Sequence, residues 1–260
     1  MIDTNSMYGN VAEEQDAFQL IQKRQAAAKA AAEEAKKAEA AKKLTAEEIV
    51  LPDFPKEYNP ETALETMFNM QAALQNILAA KRGTLAPTNN EDNFKNAVRS
   101  GYFMMSTVTE IWEFFDQLKK DNYEITDLVK YEIIDAWHFV MNQLLYMNIK
   151  PTQTVEWFYK KAEENLAQVT FVNHDLYHIV GGVVETMGEI YQNSSYKKWK
   201  TYETPKEDAL KLQVLAENFL LKFFELFVVT GMKPEDIWKF YFEKNKENFA
   251  RQEKGGRYEK

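Results

Sequence analysis

Cysteine is absent from the 260-residue chain. Disulfides, thiolate zinc sites and thiol nucleophiles are excluded with it. Histidine is almost absent: His138, His174 and His178 are all there is. His174 and His178 are spaced i, i+4, but no HExxH motif or third ligand accompanies them, so a zinc site is not expected. Nine glycines and seven prolines are few for this length, and no run alternates apolar and polar residues as a half-buried strand would. Long hydrophobic runs are missing too. The most apolar stretch, 219–229, is interrupted by Lys222 and Glu225 and is too short to span a bilayer. The N-terminus is polar and acidic, unlike a signal peptide, so the cytoplasm is the expected location and no membrane partner is expected. A net charge of −8 argues against a general nucleic-acid binder.

What is present is rich in Leu, Ala, Glu, Lys and Met, which are good helix formers, and an all-α fold follows. The length suits one large domain or two small ones. Residues 26–43 carry ten alanines and no larger apolar side chain. The pairs Glu33–Lys37 and Glu39–Lys43 support a helix there, but it has no apolar stripe to bury. It reads as a solvated helix, or alternatively as a spacer or docking arm. Pro52, Pro55 and Pro60 then interrupt the chain, which places a helical N-terminal extension at 1–55 and the compact domain at 56–260. Within that domain the pattern predicts helices over about 61–81, 93–119, 125–148, 152–168, 173–192, 206–230 and 235–250, with a polar loop at 193–206. The first has Leu64, Met67, Phe68, Met70, Leu74, Ile77 and Leu78 on its inner side.

Residues 107–141 hold two acidic pairs, Glu110 with Glu113 and Glu132 with Asp135. Spacing of i, i+3 puts the carboxylates of each pair on one helix face. Asp121, Asn122 and Thr126 between them read as a turn and a helix start, so two antiparallel helices would bring all four together. Charged residues at helical spacing are ordinarily a solvated face. These sit among Ile111, Trp112, Phe114 and Phe115, and in the apolar run Ile133 to Val140. A carboxylate there is costly to bury unless it is paired or metal-bound. An all-oxygen ligand set suits Mg²⁺.

A second constellation closes the chain. Tyr241, Lys244, Asn248 and Arg251 step by three, four and three along one helix face, with Gln252 following. A phenol, an ammonium, an amide and a guanidinium suit an anion such as phosphate; the alternative is a solvated helix whose basic end complements its dipole. Gln71 and Gln75, at i, i+4 on the first helix, are either ligand-reaching or surface amides. An internal repeat is visible at an offset of 83 residues, with Lys150-Pro151 matching Lys233-Pro234 and Lys161, Glu164, Asn165 and Ala167 matching Lys244, Glu247, Asn248 and Ala250. The same offset sets Leu215 opposite Glu132 and Asn218 opposite Asp135. The acids would belong to one half and the bases to the other.

The two acidic pairs follow the ExxE, then ExxD pattern of the all-α nucleoside triphosphate pyrophosphohydrolases, the superfamily of MazG and the dimeric dUTPases. YEIIDAWHF (131–139) resembles the second metal motif of the dimeric dUTPases. The 241–252 face, followed by Gly255-Gly256-Arg257-Tyr258, resembles their C-terminal phosphate motif, and LETMFNMQAALQ (64–75) their nucleoside-holding first helix. The resemblance runs over about 61–258 and implies a multi-helix bundle and a homodimer. It also implies Mg²⁺-dependent hydrolysis of dUTP, with dCTP next, to monophosphate and pyrophosphate. In that scheme Glu110, Glu113, Glu132 and Asp135 hold the metal, and Glu110 ahead of Glu113 takes the proton of the attacking water. Tyr241, Lys244, Asn248 and Arg251 hold phosphate, and Gln71 and Gln75 the nucleoside. Asp135 would alternatively be held by His138 or Trp137. The chain departs from the family at Gln75, where Asn is frequent, and at 116–120 (DQLKK), where Trp-Lys-x-Trp-Lys is frequent. A non-catalytic helical binding or assembly protein is the competing reading from another class.

Overall fold

The computed structural model describes residues 53–84, 86–87, 93–168, 176–193 and 209–253. They all fall in the second of the chain's two units, 49–260. The expected N-terminal extension, the loop at 194–206, His174 and the 255–258 tail lie outside the described residues, apart from 53–55. Among the described residues there are seven helices and no strand: α1 (Ala63–Arg82), α2 (Asn93–Lys120), α3 (Asp127–Tyr146), α4 (Val155–Gln168), α5 (Leu176–Asn193), α6 (Ala209–Val229) and α7 (Pro234–Glu253). The all-α expectation is met, and no described helix is long and apolar enough to cross a membrane.

Local chemistry sets the ends. Gly83 adopts φ 59°, and Gly83 N–H and Thr84 N–H bond the carbonyls of Ala80 and Ala79, closing α1. Between α2 and α3 the chain reverses through Asn122 (φ 54°) and Tyr123 (φ 66°). Thr126 caps α3 by accepting from Val129 N–H at 3.3 Å. Asp121 ties the turn shut: Gln117 Nε2 donates to one carboxylate oxygen at 2.9 Å and the Thr126 hydroxyl to the other. The 116–120 stretch, the departure from the family pattern, is therefore spent on this turn and its exposed Asp116–Lys119 pair.

The core forms around Trp137 of α3, fully buried between Phe68 of α1 and Phe223, Phe224 and Phe227 of α6. Phe54, ahead of α1, packs edge-on against Phe242 and Phe249 of α7. Glu225 sits in the core-facing stripe of α6 at 4% exposure, held by Lys222 Nζ at 2.8 Å and Asn165 Nδ2 at 3.0 Å. Such pairing is what allows a carboxylate there.

The repeat extends through the fold. Helices α3 and α6 end 83 residues apart, at Tyr146 and Val229. The turns that follow use left-handed Asn148 (φ 56°) and Gly231 (φ 68°), again 83 apart, with equivalent backbone hydrogen bonds. Each half packs its first helix along its second, and the third helices are exchanged: α4 lies on α6, and α7 lies on α3. Helix α1 packs on α3 and α7. That exchange carries the basic face of α7 to the acidic face of α3.

Candidate active site

The acidic pairs and the basic helix face converge on one cavity of about 760 Å³, within the size range of ligand pockets. Glu110 and Glu113 reach it from α2, Glu132 and Asp135 from α3, and Lys244, Asn248, Arg251 and Gln252 from α7. One carboxylate oxygen from each of Glu110, Glu113 and Glu132 lies within 4.8 Å of the others. Asp135 turns instead to Lys244, Oδ2 to Nζ at 2.6 Å, both side chains being about one-fifth exposed (22% and 18%). Neither His138 nor Trp137 holds Asp135. The His138 ring donates from Nδ1 to Ile134 O at 2.8 Å, and Trp137 belongs to the core. Arg251 bonds Asn248 Oδ1 at 3.1 Å and pairs with Glu247 at 3.5 Å.

The electrostatics of the acidic end are unsatisfied by protein alone. Burial, then the charges of Asp135, Glu113 and Glu132, push the Glu110 carboxyl up to about 7. Glu132 is raised by burial and by Asp135 and Glu113, against the lowering pull of Lys244. Burial also raises Asp135, against Lys244 and Arg251. Burial works to lower Lys244, but the charge and hydrogen bond of Asp135 outweigh it and keep the ammonium charged. Crowded, half-buried carboxylates with hard oxygen donors fit a small divalent cation, which relieves the repulsion that raises them.

Three further sequence candidates, Tyr241, Gln71 and Gln75, are all buried. Tyr241 is fully buried and does not line the cavity; its hydroxyl donates to Met67 O at 2.8 Å, so the phenol is occupied inside the core. Gln71 and Gln75 do line the cavity, toward its other end, but Gln71 is only 1% exposed and its amide is bonded to Asn142. They are not surface amides.

Arg82, Arg99, Phe103, His138, Phe139, Asn142 and Tyr146 also line the cavity and were not singled out from the sequence for this role. On α3 the signal was available: Asp135, His138, Asn142 and Tyr146 step by three, four and four, continuing the face that Asp135 begins. His138 is stacked on Tyr241 (centroids 4.7 Å apart), and burial pushes its pKa down to about 4, so the ring is neutral. On α2 the same rule links Arg99 and Phe103 to Glu110, through Thr107, by steps of four, four and three, whereas Arg82, at the end of α1, has no such link to the acids.

A dCTP pyrophosphatase of Enterobacteria phage LZ5 is 32% identical over 91 residues, 31% of this chain and 52% of the phage protein. A dCTP pyrophosphatase of Enterobacteria phage T4 is 33% identical over 78 residues, covering 26% and 46%. The chain thus spans about half the length of the curated relatives it matches. No solved structure matches it significantly. The dUTPase family model matches residues 63–256, from the first residue of α1 to just past the end of α7, so it takes in every helix that frames the cavity. On that match the chain belongs to the dUTPase family.

Proposed function

We propose that this protein hydrolyses a pyrimidine deoxynucleoside triphosphate to the monophosphate and pyrophosphate with the help of Mg²⁺. The observation that carries the reading is the shared cavity: three carboxylates converge at one end, Lys244, Asn248 and Arg251 stand beside them, and buried amides line the other end. A non-catalytic binding protein has no need of four acids gathered in one cavity, two of them, Glu110 and Glu132, raised by burial and by the charges of their acidic neighbours.

Glu110, Glu113 and Glu132, joined by Asp135, would hold the Mg²⁺, whose positive charge offsets that of the triphosphate and makes a water more acidic when bound. Glu110, whose carboxyl is pushed up to about 7, takes the proton of the attacking water. Glu113, exposed beside it, is the second candidate for that role. Lys244 and Arg251 stabilise the charge that develops on the phosphoryl oxygens, and Asn248, bonded to Arg251, orients the guanidinium. Asp135 keeps Lys244 in place and charged. Membership of the dUTPase family favours dUTP as the base-specific substrate; the dCTP pyrophosphatases among the relatives favour dCTP as the second reading.

A homodimer is proposed with this activity. Tyr102, Met105 and Trp112, 66%, 59% and 63% exposed, lie along one side of α2 and supply an apolar surface for a second copy. Light scattering should then give twice the chain mass, and a monomeric mass would refute it. The activity is tested by pyrophosphate release from dUTP, dCTP, dTTP, dATP and dGTP with and without Mg²⁺. Release from a pyrimidine substrate only with the metal is expected. Orthophosphate release, or no release from any of the five, would overturn the reading.

A further inference from the structure

A chain of buried hydrogen bonds runs beneath the amide end of the cavity, and its direction can be worked out from one fixed point. Met67 O is a backbone carbonyl and can only accept. Tyr241 Oη lies 2.8 Å from it and so must donate its proton there. The phenol oxygen is then left to accept, and Asn245 supplies the donor, Nδ2, at 3.1 Å. The same Nδ2 lies 3.4 Å from Gln71, which must present its oxygen, Oε1. Gln71 Nε2 therefore points the other way and donates to Asn142 Oδ1 at 2.8 Å. An amide with both ends reachable could ordinarily turn over; each amide in this chain has its orientation fixed by the one before. Turning Asn245 would set its oxygen against two acceptors, so it keeps Nδ2 inward and leaves its own Oδ1 buried without a partner.

The last group in the chain is Asn142 Nδ2. It has no hydrogen bond among the described residues and is not one of the sealed orphan atoms, and Asn142 lines the cavity. It opens there as a donor. The other half of the fold shows that packing alone does not demand this chain. At the positions 83 residues before Tyr241 and Asn245 stand Phe158 and Ala162, equally buried and entirely apolar. Buried polar groups are costly where an apolar pair would serve, so the Tyr–Asn pair has a use beyond filling space.

We infer that Asn142 presents Nδ2 as the hydrogen-bond donor for a carbonyl oxygen of the pyrimidine base, and that Gln71, Tyr241 and Asn245 are positioning residues that act through it. This rests on the deoxynucleotide reading above and moves Gln71 from direct contact to support. The O2 carbonyl is common to uracil and cytosine, so this contact admits both, and the choice between them lies with other residues.

The test pairs a change in the protein with a change in the substrate. Sulfur is a far weaker acceptor than oxygen, so 2-thio-dUTP and 4-thio-dUTP each remove one carbonyl acceptor. Wild type should favour dUTP over one of the two analogues by about 10- to 100-fold in kcat/KM, the range for leaving a buried donor unpaired. Asn142→Asp keeps the acceptor that Gln71 needs and removes the donor. It should raise KM for dUTP by a similar factor, change kcat far less, and abolish the oxygen-over-sulfur preference. Tyr241→Phe leaves Asn142 intact but frees the chain to turn, and should weaken the preference several-fold; general loosening of the fold would lower activity on every substrate together and leave the ratio alone. If Asn142→Asp does not fold, judged by circular dichroism, Tyr241→Phe carries the test. An unchanged ratio in the folded variants, or equal use of dUTP and both analogues by wild type, overturns the inference. If wild type releases no pyrophosphate, the pyrophosphohydrolase reading falls separately, and the same comparison is made by calorimetric binding of dUMP and its thio analogues. There, loss of the oxygen preference in the variants supports the Asn142 contact, and no preference in wild type refutes it.

Discussion

The two halves of the fold, α2–α4 and α5–α7, share a layout and divide the chemistry. Both halves turn at a left-handed residue, Asn148 or Gly231, and both bury an aromatic side chain on the third helix, Phe158 or Tyr241. Yet Glu110, Glu132 and Asp135 of the first half correspond to Asn193, Leu215 and Asn218 of the second. Lys244 of the second half, bonded to Asp135 inside the cavity, corresponds to Lys161, which pairs with Glu164 in the open, both side chains being more than two-fifths exposed (43% and 44%). The lesson is that one scaffold supplies positions and does not supply function. The exchange makes two crossings: α7 on α3 sets Lys244 against Asp135, and α4 on α6 sets Phe158 against Phe224.

The sharpest way to break that comparison is to neutralise one half. Glu110→Gln or Asp135→Asn keeps size and removes a charge. Pyrophosphate release should fall by at least about 10²–10³-fold, the cost of losing one electrostatic contact in a preorganised site. Circular dichroism should be unchanged. Glu164→Gln, on the mate surface, should leave rates within about twofold and stability within about 0.5 kcal/mol. Activity surviving at a tenth of wild type in Glu110→Gln would show that the acid cluster is not the reaction centre.

A smaller effect separates the two lysines. Lys244→Ala removes a phosphate contact and leaves Asp135 without its partner. We expect a loss of about 10²-fold in kcat/KM, together with a weaker response to added phosphate analogues. Lys161→Ala interrupts only an exposed pair, and such pairs contribute about 0–1 kcal/mol. Equal losses in the two variants would mean that α4 and α7 play the same part.

Helix content, the order of the helices and the acid and base faces were legible because each rests on local spacing. Thr126 announces α3, Gly83 ends α1, and the i, i+3 pairs state their own geometry. Arg82 was not legible, because it reaches the cavity from α1, which carries none of the acids; Asn142 and Arg99 share faces with Asp135 and Glu110, but spacing does not say how far along a face the cavity runs. Tyr241 misled for a related reason. Its spacing matches Lys244 and Arg251, but rotation of α7 against α1 takes it one step too far inward, onto Met67 O. Helical periodicity fixes which residues share a face and leaves open where the edge of the cavity cuts across it.

The comparison also has a pH signature. The Glu110 carboxyl has an ordinary value of 4.5 and is pushed up to about 7 in the fold, first by burial and then by its acidic neighbours. The folded state therefore favours the proton. Without metal, the stabilising contribution of neutral Glu110 is complete below 4.5 and is lost as pH rises through about 7. The melting temperature of metal-free protein should fall over that window. Added Mg²⁺ should raise it more at pH 8 than at pH 5, since the ligands must be ionised to bind. Glu110→Gln should flatten both trends. Asn193, its mate, carries no charge, so Asn193→Ala should leave the pH profile unaltered. A metal-free protein whose melting temperature rises across the same window would contradict the assignment.

The smallest expected effect tests whether the halves are equivalent where no chemistry intervenes. Gly231 and Asn148 occupy the same left-handed turn, at φ 68° and 56°. A Cβ built on Gly231 meets nothing within 4 Å, so space does not require glycine there. What remains is backbone strain, which Asn tolerates better than most residues because its side chain bonds locally. Gly231→Asn trades that strain against a gain of about 0.4–1 kcal/mol from a stiffer unfolded chain. The two should nearly cancel, shifting the melting temperature by less than about 2 °C. Asn148→Gly should be as mild in the opposite sense. Gly231→Val lacks the local bond and carries a branched Cβ, so it should cost about 1–2 kcal/mol. Thermal melts of the three variants decide the matter. If Gly231→Asn proves as damaging as Gly231→Val, the turns differ in a way their matching dihedrals conceal, and the repeat ends at the helices.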